Sequence, residues 1–407
     1  MKNKELSISL INMMKLSIEE DLKNKISSIK NFSIYSGVLG NILFLNLYNE
    51  YFKIRSEVNE EVINFLFNIQ NLSIFQKKGA FPHWFWLANK FSYSKVSQFG
   101  FNERVILRTR LLEASLFYFK QKKFDLFKGG IGLLISALSL KNDFSKEEIE
   151  YLTLITNAIK NTSEIDKFGG LKWKTQNATE KNRFYNLGLA HGITSIIAVC
   201  LKIFQIDNIN SQIKNNCSYI IQNAFKFLEA QKLDEEEYFS KYPDFAFVDK
   251  QKRYSSRLAW CYGDLSIGYT LLRAGKILHN DKITNSALDT LRKTVLRRNY
   301  KQNNILDPGF CHGISGVAYI YKKIYMLTNE SIYEEANSCW INDLFECLNI
   351  GVNSFFLDIK KITKNREFYN NYKLDNSFLM GYSGIGIVLL SHLTDILSDW
   401  DDIVLLS

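Results

Sequence analysis

The chain has 407 residues, of which 46% are apolar and 23% charged, so it carries enough apolar material for a large core. Its net charge is +9, but the lysines are spread along the chain and no basic run alternates with aromatic residues, which argues against a nucleic-acid partner. Six scattered cysteines do not make a disulfide scaffold, and only three prolines interrupt a chain that can be mostly helical.

The N-terminal segment predicts a helix rather than a targeting sequence. Residues 1–29 have apolar side chains at helical spacing, with lysine, glutamate and asparagine among them. No apolar run reaches the roughly 20 residues that span a bilayer. We therefore expect a cytoplasmic protein with reduced thiols, whose basic surface could also hold it peripherally at an anionic membrane face.

A glycine motif recurs six times and organises the chain. Each copy has a glycine at a turn, a glycine or serine three residues later, and an apolar run after it. The first glycines of the six copies are Gly37, Gly129, Gly192, Gly263, Gly313 and Gly381. The apolar runs predict inner helices, and amphipathic segments such as 207–232 and 283–298 predict outer ones. This pattern predicts an all-α fold, with residues 1–407 forming one closed two-layer α/α toroid. An open solenoid is the alternative, although its repeats are usually more evenly spaced.

Two stretches interrupt the helical pattern. Residues 75–102 are rich in aromatic side chains and predict a small inserted lobe or long loop within the toroid. His83 lies in this stretch without a glycine turn beside it, so we do not expect it to bind a metal. Residues 168–174 predict a short strand pair. A seventh hairpin without a glycine motif would fall at 57–69 or 104–121.

Two of the glycine turns carry thiols, and one of these also carries an imidazole. Cys261 stands two residues before Gly263, and Cys311 and His312 directly precede Gly313. A cysteine in an apolar protein is more often a small buried side chain, but equivalent places in a repeat favour ligands. Two cysteines and one histidine bind zinc with a fourth position open to water or substrate. The sequence therefore predicts one zinc per chain.

The glycine turns also carry the resemblance to a known family. The segments concerned are Trp260-Cys261-Tyr262-Gly263, Cys311-His312-Gly313, Ala190-His191-Gly192 and Phe124-Asp125-Leu126-Phe127-Lys128-Gly129. Together they resemble the lanthionine synthetase C family, the cyclases of lanthipeptide biosynthesis, over residues 36–384. The resemblance implies an α/α toroid of about seven hairpins, a catalytic zinc and the formation of thioether rings. A small insertion after the first hairpin is also similar to the family.

Four further residues are candidates for the chemistry. The thiol of a peptide cysteine would add to dehydroalanine or dehydrobutyrine, and the resulting enolate would need a proton. His191 is the candidate acid, because imidazole titrates near neutral pH, with a buried core histidine as the alternative. Asp125 would orient His191 or a zinc ligand, unless it is only a helix cap. Arg257 and Tyr262 could stabilise the enolate.

These expectations indicate which partners the protein would have and leave three alternative functions open. The substrate would be a dehydrated precursor peptide, and a lanthipeptide dehydratase and a membrane transporter complex are candidate partners. The first alternative is a LanC-like enzyme that adds glutathione or another thiol to dehydroamino acids. Zinc-assisted thiol alkylation of the prenyltransferase kind is the second. The third is a zinc-stabilised peptide-binding subunit without activity of its own, which would need none of His191, Asp125 and Arg257.

Overall fold

The computed structural model describes most of the chain. The residues described are 2–25, 29–54, 79–91, 101–140, 143–175, 184–247, 254–305, 307–349, 375–394 and 399–407. Within them, the helices in chain order are α1 (Lys2–Lys25), α2 (Val38–Phe52), α3 (Phe81–Lys90), α4 (Phe101–Lys120), α5 (Gly130–Ala137), α6 (Lys146–Asn161), α7 (Ile193–Phe204), α8 (Ser211–Glu229), α9 (Asp264–Ile277), α10 (Asp281–Val295), α11 (Ile314–Thr328), α12 (Ser331–Asn349) and α13 (Tyr382–Leu393), with a 3-10 helix at Trp400–Val404. The strands are β1 (Glu164–Ile165), β2 (Leu171–Lys172), β3 (Phe184–Asn186) and β4 (Phe245–Phe247). The all-α prediction is confirmed.

The chain forms two compact units. Unit 1 comprises residues 1–100 and 299–400, and unit 2 comprises residues 101–298 and 401–407. In unit 1, α13 packs against α1, α2 and α11, and α11 packs against α12. In unit 2, the pairs α4 and α5, α7 and α8, and α9 and α10 are packed neighbours. Of the helices in the described ranges, none is long and apolar enough to cross a bilayer.

The six glycine motifs start the six apolar helices, as predicted. Each first glycine is the N-cap residue of the helix that follows: α2, α5, α7, α9, α11 or α13. These helices are buried over most of their surface, whereas α8 and α10 bury only one face. The predicted amphipathic segments 207–232 and 283–298 correspond to α8 and α10. Their N-caps are Asn210 and Asn280, whose side chains accept the backbone N–H of the third residue.

A close backbone approach explains why these positions are glycine. At every first glycine, an added Cβ would lie within 2.6 Å of the carbonyl oxygen six residues earlier, and at Gly263 and Gly381 within 1.9 Å. Any side chain would therefore collide with the backbone. At the second small position of two copies, the hydroxyls of Ser195 and Ser266 donate to the carbonyls of Gly192 and Gly263.

Backbone hydrogen bonds join neighbouring turns within each unit. In unit 1, Cys311 N donates to Leu379 O at 2.8 Å, and Leu379 N donates to Tyr35 O at 3.0 Å. In unit 2, Leu126 N donates to Ala190 O and Ala190 N donates to Cys261 O, both at 3.3 Å. The donors and acceptors stand two or three residues before a glycine. The residues that precede the glycines are therefore held side by side.

The interrupting stretches are partly helical. Within 75–102, the structure describes α3, which carries Pro82 in its first turn, where a missing N–H removes no helical hydrogen bond. Residues 84–88 of α3 are all buried, so the aromatic run fills the core and does not follow one face of the helix. Whether 75–102 forms an inserted lobe stays a prediction. Residues 57–69 lie outside the described ranges, and 104–121 fall largely in α4. The predicted strand pair is present as antiparallel β1 and β2, and it starts four residues earlier than expected.

One buried ion pair holds α4 against the start of α6. The Nε and one terminal nitrogen of Arg108 each donate at 2.6 Å to the carboxylate of Glu148, and both side chains are fully buried. Burial alone would raise the pKa of Glu148, but the Arg108 hydrogen bonds and the Ser145 backbone N–H hold it below its ordinary value. At pH values above the ordinary pKa of a glutamate, the ionised Glu148 therefore stabilises the fold through this pair. The contribution is lost as the pH falls through the lowered pKa of Glu148.

Replacing Glu148→Gln is expected to lower the free energy of unfolding by about 3–5 kcal/mol at neutral pH, because a buried guanidinium loses its counter-charge. Urea denaturation followed by circular dichroism measures the loss. The control is Glu164→Gln, whose partner Lys174 forms a largely exposed pair and which should cost less than about 1 kcal/mol. Equal losses in the two variants would contradict the assigned role of the buried pair.

Candidate functional site

An Asp–His pair joins the turns that precede α5 and α7. Oδ1 of Asp125 accepts the backbone N–H groups of Phe127 and Lys128 at 2.7 and 2.9 Å, and its Oδ2 lies 2.5 Å from Nδ1 of His191. Burial alone would raise the pKa of Asp125, but the hydrogen bond and charge of His191 and the two backbone N–H groups hold it below its ordinary value. The carboxylate is therefore ionised at neutral pH and accepts the Nδ1 proton. Nε2 is left as the nitrogen that can exchange a proton.

The pair borders a cavity of about 390 Å³ in unit 2. Its aromatic lining residues are Phe124, Phe127, Trp173, Phe184, Phe245 and Tyr262. Three lysines, Lys122, Lys128 and Lys174, also line it. The antiparallel pair β3 and β4 contributes to one wall, because Phe184 and Phe245 pack edge to face with ring centres 5.2 Å apart. The cavity thus combines a flat apolar lining with a proton-exchanging group.

Tyr262 brings a hydroxyl to the same cavity. Its ring centre lies 6.0 Å from that of His191 and 5.5 Å from that of Phe245. Its Oη accepts a hydrogen bond from Nδ2 of Asn186 at 3.0 Å. Burial raises the pKa of Tyr262 to about 12, so the phenol keeps its proton and can donate a hydrogen bond at any ordinary pH.

Arg257 lies beside a second carboxylate rather than among the residues that line this cavity. Burial raises the pKa of Asp244 to about 6, while the charge of Arg257 and a hydrogen bond from its backbone N–H act in the opposite direction. The structure thus brings together three of the four predicted catalytic residues around the cavity, and places the fourth against Asp244.

The three predicted metal ligands belong to different units: Cys261 to unit 2, and Cys311 and His312 to unit 1. Cys261 is buried, and the other two are half-buried. Nε2 of His312 lies 3.2 Å from Oδ2 of the buried Asp307. Oδ2 makes no hydrogen bond with the described residues in this geometry, so the contact is between charges: the carboxylate lies beside the imidazole and favours a positive partner there.

Sequence reasoning missed Asn186 and Asp307. Both stand six residues before the first glycine of a motif, and Asn31 and Asp375 stand at the same distance in two other copies. In all four, the side-chain oxygen accepts the backbone N–H two residues later, which closes an Asx turn. This recurring Asn or Asp was a readable signal. Asn186 and Asp307 have a second polar atom, which contacts Tyr262 in one case and His312 in the other.

Comparison with known proteins identifies the family. The sequence profile described as "Lanthionine synthetase C-like protein" matches residues 102–405. The chain belongs to this family. Among solved structures, nisin cyclase is similar, with 19% identity and a TM-score of 0.69, over 97% of this chain and 96% of that chain. At this identity the likeness shows the fold, and it confirms the α/α toroid that the lanthionine synthetase C resemblance implies.

Replacing Gly263→Ala, directly after Tyr262, is expected to lower the free energy of unfolding by about 2–6 kcal/mol. A Cβ there would lie 1.9 Å from Arg257 O, and the backbone has φ +94° and ψ −176°, a region almost confined to glycine. The control is Gly169→Ala, with φ +78° and no atom within 4 Å of an added Cβ, which should cost about 1–2 kcal/mol from strain alone. Urea denaturation compares the two. Similar losses would contradict the close approach at Gly263.

Proposed function

We propose that the chain is a zinc-dependent lanthipeptide cyclase. It would add the cysteine thiols of a dehydrated precursor peptide to dehydroalanine or dehydrobutyrine and so form lanthionine and methyllanthionine rings. The observation that carries the proposal is the pairing of His191 with Asp125 at a cavity that Tyr262, the neighbour of Cys261, also lines. Family membership supports it, and so does the likeness to a protein whose name is nisin cyclase.

The proposed ligand cluster of Cys261, Cys311 and His312 would suit zinc. Two thiolates and one imidazole are a zinc donor set, and three protein ligands leave one position for a substrate. A bound zinc would supply the positive charge that keeps a peptide thiol ionised near neutral pH. Asp307 would hold the His312 ring in the ligating orientation through its contact with Nε2. Leu379 O would hold the backbone of Cys311.

The reaction then needs an acid. As the sulfur of the peptide forms its bond to the β-carbon, the double-bond electrons move toward the neighbouring carbonyl, and an enolate results. The α-carbon must next accept a proton. In our proposal His191 delivers it from Nε2, because Asp125 occupies Nδ1. Tyr262 donates a hydrogen bond to the enolate oxygen, and Arg257 would contribute positive charge from its position beside Asp244, outside the cavity lining.

The cavity agrees with a dehydrated peptide as substrate. Dehydroalanine and dehydrobutyrine are planar and uncharged, and the six aromatic lining side chains offer flat apolar surfaces. The lysines at the same cavity would favour peptide segments that carry acidic side chains. Supplying glutathione in place of the peptide's own cysteine tests the alternative activity, since intermolecular addition raises the mass of the peptide and cyclisation does not.

Purified protein is expected to contain one zinc per chain, and Cys311→Ala should lose most of it, because one of only three protein ligands is removed. Metal analysis by inductively coupled plasma mass spectrometry gives the stoichiometry. The matched control is Cys339→Ala, which removes an exposed cysteine outside the cluster and should leave the zinc content unchanged. Full zinc retention in Cys311→Ala would overturn the ligand assignment.

His191→Asn is expected to slow ring closure by about 10²–10⁴-fold while zinc content and peptide affinity stay close to wild type, because it removes a general acid and no ligand. The assay is alkylation of remaining peptide thiols followed by mass spectrometry, since cyclisation itself does not change the mass. His279→Asn is the control, because His279 is exposed and its left-handed backbone tolerates asparagine. A normal rate in His191→Asn would assign the proton to another group.

A further inference from the structure

We propose that Asn186 is a positioning residue that directs the hydroxyl proton of Tyr262 into the cavity. The inference concerns a residue with no assigned role in the reaction, and its catalytic consequence rests on the proposed function. It follows from three hydrogen bonds of Asn186, two of which fix the direction of its amide and so the role of the Tyr262 phenol.

The side chain of Asn186 is held in one orientation. It is 3% exposed, and its backbone N–H donates to Oγ1 of Thr175 at 2.9 Å. Its Oδ1 accepts the backbone N–H of Gly188 at 2.9 Å. A flipped amide would place its NH₂ group against this N–H, so that two donors would face each other. The contact with Gly188 therefore settles which amide atom is the nitrogen.

The orientation of Asn186 determines the role of Tyr262. Nδ2 of Asn186 faces Tyr262 Oη at 3.0 Å, and an amide nitrogen can only donate. The phenol oxygen is thus the acceptor in this bond, and its own proton must point to another acceptor. Because Tyr262 lines the cavity together with Asn186 and His191, that acceptor is a ligand in the cavity. In the proposed reaction it is the enolate oxygen.

Asn186→Asp tests this with a nearly isosteric change. The aspartate still accepts the Gly188 N–H, but its second oxygen cannot donate, so the Tyr262 hydroxyl turns toward it and away from the cavity. We expect kcat for ring closure to fall about 10²-fold or more, as for the loss of one donor to an oxyanion, with KM for the peptide little changed. Asn210→Asp is the control, because it adds the same charge at an N-cap on α8 whose oxygen accepts only a backbone N–H.

A double-mutant cycle with Tyr262→Phe separates positioning from a general structural effect. If Asn186 acts through the hydroxyl, Asn186→Asp has little effect once that hydroxyl is absent, and the double variant is no slower than the slower single variant. Losses that multiply, or a normal rate in Asn186→Asp, would overturn the inference. Asn186→Ser serves the same cycle if the aspartate variant does not fold, because serine can accept the Gly188 N–H and is too short to reach Tyr262.

A spectroscopic measurement tests the contact independently of the reaction. With 3-fluorotyrosine at position 262, the ¹⁹F resonance should shift in Asn186→Asp and not in Asn210→Asp, because only the first variant changes the hydrogen bond at the phenol oxygen. An unmoved resonance in Asn186→Asp would refute the positioning role. A shifted resonance in a protein that closes no rings would instead refute the proposed cyclase activity and leave the contact established.

Discussion

The approach of each motif glycine to the carbonyl oxygen six residues before it is the constraint on which the rest of the structure depends. No side chain fits between the two, so the chain can double back tightly before it enters an apolar helix. The residues just before the glycine therefore lie in a short, rigid turn. Functional side chains at these positions therefore start from a backbone that is fixed by the turn.

The same constraint accounts for the pairing of residues that are far apart in sequence. Backbone hydrogen bonds from Leu126 to Ala190 and from Ala190 to Cys261 join three of these turns. The first bond brings Asp125 close to His191. The distance between His191 and Tyr262 follows from the second. The side chain of Asn186 also links two of these turns, because it accepts a hydrogen bond within its own turn and donates one to Tyr262 in the next. The backbone hydrogen bonds and this side-chain contact thus favour the same arrangement of the three turns.

Much of this could be read from the sequence, because repeated local geometry leaves repeated residues. Glycine spacing predicted the apolar helices, and the zinc ligand set, read from two cysteines and a histidine at equivalent turns, stays a prediction. Three features of the structure could not be predicted from the sequence, each for a physical reason. The helix α3 buries its aromatic run instead of following one face, so it lacks a helical period. The contact between Asn186 and Tyr262 spans 76 residues and has no local signature. Arg257 lies beside Asp244, which belongs to no motif, so no sequence pattern indicated this partner.

The bond from Leu379 to Tyr35 has a consequence for how the chain is made. It joins the last glycine turn to the first, and both belong to unit 1, whose two segments are separated in sequence by most of unit 2. About 200 residues must be synthesised between residues 100 and 299, which takes roughly 10–40 s at ordinary translation rates. During that time α2 emerges without α13, its packing partner. The helices of unit 2 can pack on one another during that time, while the apolar surface of α2 stays open to chaperones until α13 is made. The hydrogen bonds of Trp260 and Tyr269 to residues 404 and 406 form last.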